Sequence, residues 1–297
     1  MSDGAFISFP NLGIEKFKVD SVAFTLFGLE VRWYAIIICV GIISAFIYFL
    51  QRGKKNERIK EDDLLNATLF AVPLGVIGAR FLYVITNLDN YSSFKEMINI
   101  REGGLAIYGG IIFGGVTLLV YALIKRHNPL KYFDAICPGV MIAQAIGRWG
   151  NFMNGEAFGE GYGAEGFFLR MDVQRFKYEN GSPSTAGYNV HVTHPTFLYE
   201  SVWNVLGFVI ANLLYKNKKF DGRIFTFYVA WYGFGRAWIE FLRSDSLLVG
   251  GQKLMVWLGF LTCAAAIGAH IYLYRKSNKE LSEFTAMKNE EIKDDNT

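Results

Sequence analysis

The pattern of apolar and charged positions divides this chain into long spans separated by short basic loops. Residues 33–50 run for 18 positions without a charge, 103–124 for 22, and 254–274 for 21 with His270 as the one titratable group. A helix needs about 20 mostly apolar residues to cross a bilayer, so each stretch predicts a membrane span. Four further apolar stretches are interrupted: 64–88 by Arg80, 132–152 by Asp134 and Arg148, 196–215 by Glu200, and 224–242 by Arg236 and Glu240. Seven spans are therefore expected, in an all-α polytopic membrane protein.

The connections set the direction of the chain. Loops 51–62, 125–131, 216–223 and the tail after 274 carry seventeen Lys and Arg, against ten on the alternate side. Positive charge stays on the cytoplasmic face, which predicts an external N-terminus and a cytoplasmic C-terminus. Residues 1–275 then form one membrane domain, and 276–297 a polar, mobile cytoplasmic tail. The first twenty residues lack a basic start followed by an apolar core, so no cleaved leader is expected.

Two external features go beyond plain loops. Residues 22–33, VAFTLFGLEVRW, are β-prone around Gly28 and predict a short hairpin at the interface. Residues 155–193, rich in glycine and mixed charge, predict a small extracytoplasmic cap. In 103–115, Gly110 and Gly114 form a small-xxx-small pair that lets helix backbones approach closely.

Composition sharpens the class. The 297 residues are 52% apolar and 19% charged, with 31 glycines, and mean hydropathy is +0.22. Disordered, collagenous and disulfide-scaffold proteins are excluded. A net charge of +3 gives no reason to expect nucleic acid as a partner. Cys39, Cys137 and Cys263 lie singly in apolar runs, as small hydrophobes do, without metal-ligand spacing.

Charges inside spans carry the functional signal. An Arg or acidic residue at a helix centre costs about 2.5–3.5 kcal/mol on insertion scales, and Arg80, Arg148, Glu200, Arg236 and Glu240 are five such placements. The outer end of the fourth span reads GRWGNFMNGEAFG, residues 147–159. Its four glycines free the backbone, while Arg148, Asn151, Asn154 and Glu156 supply donors and acceptors at headgroup depth. Arginine offers a planar fork for phosphate oxygens. A plain helix stop explains two of the glycines, not four with polar residues between them. Arg236 and Glu240 are four residues apart on one helical face, among Tyr228, Trp231, Tyr232 and Trp238, as in an interfacial aromatic belt. In HPTFLYE, residues 194–200, Pro195 starts a helix with Glu200 inside it and His194 before it. These residues predict a membrane protein handling an anionic lipid headgroup at the outer leaflet, with its chemistry still undefined.

The motif at 147–159 resembles the signature of the bacterial prolipoprotein diacylglyceryl transferases. RWY at 32–34, GARFLY at 78–83, GGLAIYGG at 103–110, HPTFLYE at 194–200 and YGFGRAWIEFLR at 232–243 follow the family's order. The resemblance covers about residues 20–275. It implies a seven-helix enzyme of the bacterial inner membrane, acting at the outer face without metal or organic cofactor. Its partners would be phosphatidylglycerol and the lipobox cysteine of a lipoprotein precursor, with glycerol phosphate leaving. By matching position, Arg148 binds the lipid phosphate, Asn151, Asn154, Glu156 and Gly159 shape that site, and Arg80 and Glu200 join it. Arg236 and Glu240 form a second cluster, with Tyr34 and His194 as neighbouring polar groups.

One position departs from part of the family. Tyr108, in GGLAIYGG, stands where some members have a histidine assigned as the base. An unperturbed tyrosine pKa near 10 makes a poor base at neutral pH. The expectation is that Tyr108 positions substrate while the arginines supply the field that forms thiolate. Two readings from other classes stay open at this point: a seven-helix transporter whose buried charges line a path, and a phospholipid-binding membrane protein without turnover.

Overall fold

The computed structural model describes residues 5–100, 103–159, 163–179, 182–243, 248–249 and 251–294. The chain folds as two compact units, residues 46–136 and residues 1–45 with 137–297. Among the described residues, five helices are long and apolar enough to cross a bilayer: α1 (Trp33–Lys55), α2 (Glu61–Thr86), α4 (Ile107–Ile124), α6 (Thr196–Lys216) and α8 (Leu254–Asp294), the last through its apolar part. α5 (Pro129–Met153) and α7 (Arg223–Glu240), the other two long helices, hold most of the charges singled out above. A short α3 (Phe94–Ile98) lies between α2 and α4.

In the unit of residues 46–136, Phe49, Leu64, Ala67, Leu118, Ala122 and Tyr132 form the buried core. α2 and α4 pack backbone to backbone because both are glycine-lined. A Cβ on Gly110 would lie 3.5 Å from the Gly75 oxygen, and one on Gly114 would lie 3.6 Å from that of Ala71. The tightest crossing is one residue earlier than the small-xxx-small pair indicates. A Cβ on Gly109 would fall inside the van der Waals shell of the Gly78 carbonyl. α4 also begins at Ile107 and not at 103, since Gly103 and Gly104 adopt φ of +86° and +77°, outside helical space.

The other unit corrects a purely helical picture. β1 (Ala5–Phe9) and β2 (Ile14–Val19) join β5 (Met171–Glu179) and β6 (Ser182–Thr193) in one antiparallel sheet of order β2-β1-β5-β6. The expected cap is thus half built from the N-terminus; residues 160–162 and 180–181 of it lie outside the described part. Ala5 and Ile7 of β1 and Met171 and Val173 of β5 turn inward onto Val19 and Phe197, the period of two expected of a sheet with one buried face. β3 (Val22–Leu26) and β4 (Leu29–Arg32) form the hairpin anticipated at 22–33. Phe27 and Gly28 sit at φ +50° and +79°, the positive pair of a type I′ turn. β7 (Leu248–Val249) pairs with β8 (Gln252–Lys253) just before α8. α8 remains helical through the polar tail to Asp294.

Paired tryptophans set the spacing of α6 and α7. Trp203 and Trp231 stack at 4.1 Å. Each indole donates to the other's carbonyl, at 3.2 and 3.0 Å, and each lies over a glycine of the facing helix, Gly235 and Gly207. Gln144 of α5 donates to the Tyr228 hydroxyl of α7 at 3.1 Å. Trp231 and Tyr228 therefore hold helices together, where an aromatic belt was the sequence expectation.

Candidate active site

Arg148 lies in the last turns of α5, which runs helical through Gly147 and Gly150 to Met153. Gly150 is small because Tyr34 packs on it; a Cβ there would come within 2.8 Å of the ring. The backbone leaves the helix only after Met153, through Gly155 and Ala157 at positive φ. Asn151 and Asn154 there donate to Glu156 Oε1 at 3.4 and 2.9 Å. The three residues expected to shape a polar pocket thus form one carboxylate-centred cluster. Gly159 closes the segment, donating to the His194 carbonyl at 3.0 Å and bridging to Arg243. A side chain at 159 would meet the Leu242 oxygen at 2.7 Å and His194 Cβ at 2.9 Å.

α6 begins directly after Pro195, whose ring fixes the entry. His194 is buried, with Nδ1 3.2 Å from the Tyr199 hydroxyl and its ring against Phe167. Thr196 donates to the Ala157 carbonyl at 2.7 Å, tying the α6 start to the 147–159 segment. One turn on, Glu200 projects its carboxylate between two arginines. Arg148 Nη2 lies 2.6 Å from Oε2, and Arg243 Nη1 lies 3.1 Å from Oε1.

Arg236 and Glu240 of α7 pair at 2.6 Å, as their spacing predicts. Arg243 was not anticipated as a site residue, although Arg236, Glu240 and Arg243 at i, i+4 and i+7 share one face. It was assigned to an external loop, whereas the chain turns back with the Arg243 amide on the Glu240 carbonyl. Lys253 closes that turn, donating to the carbonyls of Glu240, Phe241 and Arg243 at 2.8–3.2 Å.

The charges are graded by exposure. The side chains of Glu200 and Glu240 are 8% and 1% exposed, while those of Arg148 and Arg236 are 24% and 19% exposed. An incoming group meets guanidinium, with the carboxylates behind it. Among the described residues, the ion pairs join Arg148 and Arg243 to Glu200 and Arg236 to Glu240. Arg236 Nε and Trp238 Nε1 are buried donors with no hydrogen-bond partner among the described residues, and a buried donor without an acceptor is costly unless a ligand supplies one.

Arg80 and Tyr108 belong to the other unit. Arg80 is buried, and its donors meet backbone carbonyls of Glu96, Met97, Gly103 and Gly104 at 2.7–2.9 Å. Tyr108 is the second residue of α4, with its side chain partly exposed.

A family model described as prolipoprotein diacylglyceryl transferase matches residues 21–272. A phosphatidylglycerol–prolipoprotein diacylglyceryl transferase of Clostridioides difficile strain 630 is 40% identical over 266 residues, 89% of this chain and all of that protein. The chain belongs to the prolipoprotein diacylglyceryl transferase family. Proteins of the same name from Streptococcus agalactiae serotype Ia and Streptococcus mutans serotype c are 39% and 37% identical, over 90% and 88% of this chain and 100% and 96% of theirs. The family match runs from the β3–β4 hairpin into α8 and includes every site residue named above. It leaves out β1, β2 and the polar end of α8.

Proposed function

We propose that this chain transfers the diacylglyceryl group of phosphatidylglycerol to the thiol of a lipobox cysteine in lipoprotein precursors. The carbon–sulfur bond forms as the ester carbon–oxygen bond breaks. The electron pair of that bond leaves with glycerol phosphate, whose phosphate monoester can take up the proton that the thiol gives up. The observation that carries the reading is a pair of partly exposed guanidiniums, Arg148 and Arg236, each held by a nearly buried carboxylate, with Arg236 Nε a buried donor that lacks a hydrogen-bond partner among the described residues. A phosphodiester supplies an anion for these guanidiniums, and its oxygens an acceptor for Arg236 Nε.

In this reading Arg148 and Arg236 hold the phosphate and take up the charge that grows on the leaving oxygen. Glu200 and Glu240 keep the two guanidiniums oriented before substrate arrives. Asn151, Asn154, Glu156 and Gly159 form the wall of the headgroup site, with Tyr34 and His194 beside it. The nucleophile belongs to the acceptor. A free thiol has a pKa near 8.5, and the arginine field favours its thiolate. Tyr108 positions substrate, a role supported by its place in the family motif GGLAIYGG.

The same proposal places the chain in the bacterial inner membrane with seven spans, α1, α2 and α4 to α8, and the active site toward the outer leaflet. The excess of Lys and Arg in alternate loops supports this orientation. The test uses purified protein, phosphatidylglycerol and a synthetic lipobox peptide, and follows glycerol phosphate. Release should need both the peptide cysteine and Arg148, disappearing with a Cys-to-Ser peptide and falling at least a hundredfold, about 10²–10³, in Arg148→Ala. Lipid bound by folded protein with no release under any condition would leave a lipid-binding or transport protein.

A further inference from the structure

Three consecutive residues of α2 contact the approach to α4. Gly78 lies against Gly109, where any side chain would strike its carbonyl. The Ala79 carbonyl accepts from the Ala106 amide at 2.9 Å. Arg80 Nη1 donates to the Gly103 and Gly104 carbonyls at 2.7 and 2.9 Å. The same guanidinium reaches α3, with Nε on Met97 O at 2.7 Å and Nη2 on Glu96 O at 2.9 Å. Four hydrogen bonds thus engage a group with five N–H donors, and none of these acceptors carries charge. Tyr91 and Tyr83 flank the guanidinium, at 5.3 and 5.9 Å.

The carbonyls are themselves aimed at Arg80 by local devices. Gly104, at φ +77°, leaves no room for a Cβ, which would lie 2.5 Å from Tyr83 and 2.7 Å from Arg80 Nη1. α3 is capped by Ser93, whose hydroxyl accepts from the Glu96 amide, while the Glu96 carboxylate takes bonds from Ser92 and Ser93. This reciprocal capping box holds the Glu96 and Met97 carbonyls in place.

We propose that Arg80 is a positioning residue. Its guanidinium fixes α3 and the Gly103–Gly104 turn on α2, and so sets the start of α4 and the place of Tyr108. GARFLY and GGLAIYGG are then two halves of one device, and Arg80 is not a phosphate ligand. The functional consequence rests on the substrate-positioning role given to Tyr108 above; the structural one does not.

The experiment places 3-fluorotyrosine at position 108 of the full chain and records its fluorine resonance. Glycerol phosphate release per folded molecule is measured in parallel, with the unlabelled protein. The variants are Arg80→Ala, Gly104→Ala, the double variant, and Phe49→Ala as a core control that destabilises the same unit elsewhere. Arg80→Ala and Gly104→Ala should each shift or broaden the resonance and slow turnover by about tenfold to a hundredfold, as expected of a displacement near 1 Å. The Michaelis constant for phosphatidylglycerol should change less than twofold, the double variant should be no slower than the worse single, and Arg80→Lys should not restore turnover. Phe49→Ala should lower thermal stability without moving the resonance.

An unmoved resonance in Arg80→Ala overturns the proposal. So does a raised Michaelis constant in Arg80→Ala that Gly104→Ala does not share, which would make Arg80 a lipid ligand. If the unsubstituted protein releases no product, the proposed function fails while the resonance still decides the clamp. If Tyr108→Phe turns over normally, the role of Tyr108 fails and the clamp stands or falls on the resonance alone.

Discussion

Neutralising Glu200 with the isosteric Glu200→Gln tests the claim that the site is an anion-binding set held together by its own carboxylates. The carboxylate is nearly buried and touches Arg148 and Arg243 at 2.6 and 3.1 Å. Glutamine can accept from one guanidinium, but its amide NH2 then faces the other as donor against donor. Removing one partner of a buried ion pair costs about 3–5 kcal/mol, because the remaining charge is left uncompensated. Arg148 keeps some solvent contact and glutamine keeps one acceptor, so the lower end, about 3 kcal/mol, applies. At about 2–4 °C per kcal/mol, the thermal midpoint should fall by about 6–12 °C.

The reasoning then predicts a rescue. A phosphate monoester can take the place of the missing carboxylate. An anion at a hundred times its dissociation constant returns about 2.7 kcal/mol. Glycerol phosphate should therefore recover most of the lost midpoint in Glu200→Gln and raise that of the unsubstituted protein far less, since there it must compete with Glu200. Turnover should still drop about a hundredfold, because the pair that fixes Arg148 is gone. Thermal unfolding in detergent at a fixed scan rate, with sodium chloride at matched ionic strength as control, reads all of this. A variant as stable as the parent, or one rescued equally by chloride, would refute the account.

Two further outcomes follow from other parts of the molecule. Gly109→Ala forces a methyl against the Gly78 carbonyl and should cost well over the 1–3 kcal/mol of ordinary overpacking, about enough to abolish folding. Gly115→Ala meets nothing within 4 Å and should leave the size-exclusion profile unchanged. Glu96 is held below the usual carboxylate range, first by the Ser92 amide and then by the Ser93 and Ser92 hydroxyls. Its contribution is therefore complete above its unfolded value of 4.5 and is lost as pH falls through the lower folded value. Hydrogen-exchange protection of the Met97 and Asn99 amides should decline across that acid range in the parent and be lower and flat in Glu96→Gln.

The spans were legible because uncharged runs of 18–22 residues have few other uses, and the structure returns helices at each of those places. The pairing of Arg236 with Glu240 was legible for the same kind of reason, since helical spacing of four is a local rule. What sequence could not give were partners brought together from afar. β1 and β2 drew no strand prediction because β5, the partner of β1, lies 170 positions away in the register Ala5 with Arg175. Arg243 looked like a loop residue because the turn that folds it back onto Glu200 is fastened by Lys253, from beyond the next strand. Gly147 and Gly150 were read as helix breakers, but Gly150 serves the approach of Tyr34.

The deepest ambiguity was between Arg80 and Arg148. Both are arginines in apolar spans, and insertion cost flags both equally. The acceptors separate them. Glu200 carries a charge, and under the proposed function a phosphate can stand in for it at Arg148. At Arg80 the acceptors are four peptide carbonyls from α3 and the turn before α4. A phosphate there would have to displace peptide carbonyls whose bonds to Arg80 fasten α3 and the turn before α4 onto α2. Exchangeable carboxylate pairing therefore suits a ligand site and multiple carbonyl pairing suits a clamp, and backbone carbonyls, which every residue carries, are invisible in a sequence.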